Sequence, residues 1–152
     1  MKDKIINFFK SKSVTYYIAL GIALITIITS FIYLGVLSNI NEYLNIGLFF
    51  LIIIGGIAFI ALSSFNLDKI GVGAMALCNF GAFITYILTI YNYPLTQLME
   101  ISSIWDIPYI VPVIVIAILI LICAIASNVL VYLKLNKVQM NVEINSQEVK
   151  GE

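Results

Sequence analysis

From Val14 onward, long apolar stretches alternate with short polar ones, and the stretches have the length of membrane helices rather than strands. A helix rises about 1.5 Å per residue, so about 20 apolar residues cross a hydrocarbon core roughly 30 Å thick. Four segments meet this requirement, at about Val14–Leu37, Gly47–Phe65, Ile70–Tyr91 and Tyr109–Leu133, and none contains Asp, Glu, Lys or Arg. The pattern predicts an all-α fold, a transmembrane four-helix bundle running up-down-up-down. Residues 14–133 then form one membrane domain, between an amino-terminal arm (1–13) and a polar tail (134–152).

The charged residues orient these spans. Lys2, Lys4, Lys10 and Lys12 precede the first, Lys69 separates the second and third, and Lys134 and Lys137 follow the fourth. The other two loops carry Glu42, Glu100 and Asp106 and no Lys. Because lysines stay on the cytoplasmic side, both termini and the 66–69 turn are expected there. The first apolar run is too long for a cleaved signal peptide and reads as a retained anchor.

The stretch "FNLDKI" holds Asp68 and Lys69, the only two charges between Glu42 and Glu100. One charge at mid-bilayer costs about 2.5–3.5 kcal/mol on insertion scales, so the expected place for both is a solvated surface turn. Asn66 would cap the following helix, with Asp68 in its first turn, where a negative charge suits the helix dipole. So short a connection makes spans two and three antiparallel neighbours.

Within the spans, small and weakly polar residues mark the faces expected to meet. In span one Tyr16, Ala19, Ala23, Thr26, Ser30 and Tyr33 alternate steps of three and four. Span three has Gly71, Ala74, Cys78, Gly81 and Thr85 in the same rhythm, span four a weaker series through Ala117, Ala124, Ser127 and Asn128, and span two Gly55, Ala58 and Ala61. Such a period is the seam of left-handed helix packing, so stripes one and three are expected to face inward. Thr26, Ser30, Asn79, Thr85 and Asn128 are the candidate polar interior. Asn79, near the middle of span three, must find a hydrogen-bond partner there.

The loop "YNYPLTQLMEISSIWDIPY" separates Leu95, Leu98, Met99, Ser102 and Trp105 from Thr96, Gln97, Glu100 and Ser103 on two helical faces. It reads as a short interfacial helix between Pro94 and Pro108, with Tyr91, Tyr93, Trp105 and Tyr109 at headgroup level. Trp105 and Asp106 are the candidates for an outer docking surface. The arm "MKDKIINFFKSKS" mixes apolar residues with Lys and is suited to an anionic inner leaflet.

Composition narrows the function. The chain of 152 residues is 62% hydrophobic and 11% charged, with zero formal net charge and no His, which excludes a nucleic-acid footprint and His-based chemistry. Cys78 and Cys123 lie inside apolar runs without a C-x-x-C spacing, and are expected to pack rather than to bind metal or exchange disulfides. No P-loop follows "GVGA", and no acid lies within a span to couple protons. No catalytic, cofactor-binding or metal-binding residue is assigned, no cofactor is expected, and the chain is read as not an enzyme.

The opening "FFKSKSVTYYIALGIALI" resembles that of uncharacterised small four-span membrane proteins of low-GC Gram-positive bacteria. The resemblance covers mainly the first 25 or so residues and brings no activity or site residues with it. It implies a bacterial cytoplasmic membrane and a role beside carbohydrate uptake. Two functional readings follow. In the first, the chain is a non-catalytic accessory or scaffold subunit that contacts a membrane-protein partner or further copies of itself within the lipid bilayer. In the second, it is a small transporter or channel subunit working as an oligomer.

Overall fold

The computed structural model describes residues 12–40, 43–94, 107–133 and 135. Four helices account for most of them: α1 (Val14–Leu37), α2 (Ile46–Ser64), α3 (Asp68–Ile90) and α4 (Ile110–Val131). All four are long and apolar enough to cross a membrane, and the chain is a multi-pass, all-α four-helix bundle. Consecutive helices pack side by side, α4 closes the ring against α1, and α1 also meets α3 across the diagonal.

Local chemistry sets where each helix stops and starts. The Asn45 side chain caps α2 by accepting from the Leu48 N–H at 3.2 Å. At the other end of α2, Asn66 adopts the left-handed conformation, φ 60°. The Asn66 N–H donates to the Ser63 carbonyl at 2.9 Å and the Leu67 N–H to the Leu62 carbonyl at 3.0 Å. This is a Schellman ending, in which Asn replaces the usual Gly. Asn66 therefore closes α2 rather than capping α3, whose N-cap is Leu67, while Asp68 does occupy the first turn of α3. The result is the tight antiparallel α2–α3 hairpin that the short connection requires.

The interior consists of two apolar clusters with a polar layer between them. One, around Tyr16, Ala19, Ala23, Phe59, Val72 and Met75, lies toward the end of the bundle where Lys12 is found. The other, around Tyr33, Leu48, Ile52, Tyr86, Ile110 and Val113, lies toward the opposite end. There the Tyr33 hydroxyl accepts from the Asn45 N–H at 2.9 Å, tying α1 to the α2 cap. The Tyr86 hydroxyl donates to the Val113 carbonyl at 2.8 Å. Beyond them Tyr93 donates to the Pro108 carbonyl, bringing together the two ends of the long loop. That loop's expected interfacial helix, with Trp105 and Asp106, lies outside the described residues, as do the arm before Lys12 and the tail from Asn136 onward.

The stripe expected in span one is the inward face of α1: Tyr16, Ala19, Ala23, Thr26, Ser30 and Tyr33 are all buried. Span three differs. The buried face of α3 runs through Val72, Met75, Asn79, Ala82 and Tyr86, while Ala74, Cys78, Gly81 and Thr85 are half-buried on its flank. Small residues on that flank serve the α2–α3 approach: a Cβ on Gly55 would come within 2.8 Å of the Cys78 Cβ. In span two Gly55 is buried, Ala58 half-buried and Ala61 exposed.

Candidate functional site

Among the described residues, two polar clusters lie inside the bundle. At mid-height, Asn79 is 1% exposed, and its side-chain amide donates to Ser127 Oγ at 3.3 Å, Thr26 Oγ1 at 3.4 Å and the Cys123 carbonyl at 3.5 Å. The hydroxyls are themselves committed: Thr26 donates to the Ile22 carbonyl at 2.9 Å and Ser127 to the Cys123 carbonyl at 2.6 Å. Each oxygen therefore offers Asn79 only its lone pairs. Ser30, fully buried, donates to the Ile27 carbonyl at 2.7 Å. The cluster holds no ionised group, and its hydroxyl protons are spent on their own helices, as expected of Ser and Thr in a membrane helix.

Of the five residues proposed from sequence for this interior, the structure brings Thr26 and Asn79 into contact and buries Ser30 nearby, whereas Thr85 is only half-buried. Asn128 lies elsewhere. It is on the outer surface, donating to the Ala124 carbonyl of its own helix at 2.8 Å, and Ser127 takes the interior place beside Asn79. Adjacent helical positions point about 100° apart, which follows from 3.6 residues per turn; a one-residue shift in register exchanges the two.

The second cluster corrects the reading of Asp68 as a solvated turn residue. Asp68 is 4% exposed, and its Oδ2 lies 2.5 Å from the Lys12 ammonium, which is itself wholly buried. The neighbouring Lys69 is exposed, so the buried charge pairs with the lead-in to α1 rather than with its sequence neighbour. Ser63 Oγ donates to Asp68 Oδ1 at 2.7 Å and lies 3.0 Å from the Tyr16 hydroxyl. Serine has one O–H, so the proton shared by the two hydroxyls comes from Tyr16. Asn66 Oδ1 accepts from Lys12 at 3.4 Å, and the ammonium sits 5.0 Å from the centre of the Tyr16 ring. Burial of both charges is tolerable because the pair is neutral and each carboxylate oxygen has a donor. Lys12 is thereby withdrawn from the lipid-facing arm in which the sequence placed it. No local spacing announced this pair, since 56 residues separate its members.

On the outside, α3 and α4 leave an apolar groove of about 490 Å³, lined by Phe80, Phe83, Leu121, Ile125, Asn128 and Tyr132 among others. Among the described residues, no group of three His, Cys, Asp or Glu side chains gathers as a metal site would. Comparison with protein-family models, with curated proteins and with solved structures finds no match for this chain.

Proposed function

We propose that this chain is a non-catalytic membrane subunit that acts through helix contacts with another membrane protein or with further copies of itself. The observation that carries the reading is the outward groove between α3 and α4, lined almost wholly by apolar side chains, with the exposed Asn128 on its wall bonded to its own helix. In lipid, helix association relies on close packing as well as polar contacts, so a concave apolar face of this kind suits the packing of a further helix. The interior supports the same reading from the other side. Among the described residues, Asn79, Thr26, Ser30 and Ser127 already hydrogen-bond within the bundle, which favours a packed interior over a solute path. The lysine distribution supports a cytoplasmic location for the end bearing Lys12 and the exposed Lys69, and a bacterial membrane is what the resemblance of the opening segment implies.

The test is cysteine cross-linking in native membranes after removal of Cys78 and Cys123. Cysteine at Asn128 is expected to give a cross-linked product, and cysteine at Ile122, exposed but outside the groove, is not. An isolated monomer in mild detergent, with no product from either position in membranes, would contradict the proposal.

A further inference from the structure

We propose that Tyr16, Ser63, Asn66 and Asp68 form a socket for a primary ammonium group, and that Lys12 fills it as a ligand tethered to the chain. The acceptors are placed by secondary structure that does not depend on Lys12. Ser63 lies in the last turn of α2, Asn66 is fixed by the Schellman ending, Asp68 opens α3 and Tyr16 stands on α1. Lys12 alone comes from the lead-in before the first helix. Its removal would leave the carboxylate, the amide oxygen and the aromatic face around an ammonium-sized space.

The chemistry of the walls selects the occupant. Asp68 supplies the countercharge through Oδ2 at 2.5 Å while Ser63 holds Oδ1, and Asn66 Oδ1 gives a second, longer acceptor at 3.4 Å. Both are directional acceptors that reward N–H donors. The Tyr16 ring, 5.0 Å away, attracts a cation without needing a hydrogen. A primary ammonium satisfies all three; a quaternary one has no N–H, and a guanidinium is planar and wider. The occupied socket is a latch. It fastens the start of α1 to the α2–α3 turn, beside the Ser13 N–H that donates to the Leu135 carbonyl at 3.1 Å after α4. Three segments of the chain are thus gathered at one end of the bundle.

The experiment uses the full chain with Lys12→Ala in mild detergent, titrated with ethylammonium, tetramethylammonium or potassium chloride, and reads the thermal unfolding midpoint. The variant should unfold at lower temperature than the wild type. Ethylammonium should raise its midpoint saturably, the other two salts should not, and adding Asp68→Asn should abolish the response. Nanodiscs of phosphatidylethanolamine against phosphatidylcholine distinguish a lipid headgroup from a free amine as the source, and rescue from either source supports the socket. Equal effects of all three salts, or no rescue from either source, overturn it. A second measurement uses the wild-type protein: Lys12 should react with an amine reagent at least roughly tenfold more slowly than Lys69, since it reacts only when the latch opens. Equal labelling of the two lysines would also overturn the proposal.

Discussion

The side-chain amide of Asn79 reaches the Ser127 hydroxyl at 3.3 Å, joining the middle of α3 to α4. The same amide reaches Thr26 on α1, so one residue links three helices. Interhelical hydrogen bonds in membranes average about 0.6 kcal/mol, because the separated helices also find partners. Ser127→Ala should therefore lower stability by about that amount, measured by unfolding in mixed detergent. A loss several times larger would show that the polar layer governs the fold.

The Lys12–Asp68 pair should behave differently. Removing one member of a buried ion pair leaves the other uncompensated and costs about 3–5 kcal/mol, whereas replacing both with apolar residues is often neutral. Asp68→Ala should fall in that range, and Lys12→Met combined with Asp68→Leu should recover most of the loss. A double variant no better than the single one would mean that the site is held by something other than its charges.

Close helix approach predicts which glycines matter. A Cβ on Gly56 would come within 2.7 Å of Ile27 Cγ1 and 2.8 Å of the Ala23 carbonyl oxygen, so α1 and α2 must shift to admit it. Overpacking of this kind costs about 1–3 kcal/mol. Gly81→Ala would make only ordinary contact, at 3.6 Å from Leu51, and Gly73→Ala would meet nothing. Unfolding measurements should find Gly56→Ala clearly destabilised and the other two near wild type.

Tyr109 precedes α4 with φ 59°, a left-handed conformation that bulky residues seldom adopt. Its backbone cost is on the order of 1 kcal/mol. Asn tolerates this region better, so Tyr109→Asn should match or exceed wild-type stability in detergent, where the half-exposed ring has no phospholipid headgroups to meet. A clear loss would mean that the ring contributes more than the backbone strain.

The limits of the sequence follow from its solvent. Length and apolarity alone define spans in lipid, so the four helices are legible to within a few residues, and the α1 stripe is legible because its inward residues are small or polar from Tyr16 to Tyr33. On α3 the same rule misleads by one position. Small residues mark where α2 comes closest, at Gly55 and Cys78, while the bundle centre is filled by Met75 and Tyr86, which look no different from lipid-facing residues. Asn128 and Ser127 are adjacent, and polarity cannot say which one faces inward. The pairing of Asp68 with Lys12 depends on the tertiary meeting of α1 with the α2–α3 turn; only the nearness of Lys12 to the span and of Ser63 to Asp68 hinted at it.

Reagent access to the centre of the bundle tests the contact-based account most directly. With Cys78 and Cys123 replaced, Asn79→Cys should stay unreactive toward a membrane-impermeant thiol reagent applied from either side of sealed vesicles, while Lys69→Cys reacts from one side. Rapid labelling at position 79 would reveal a water-filled path through the four helices and contradict a subunit that works by contact alone.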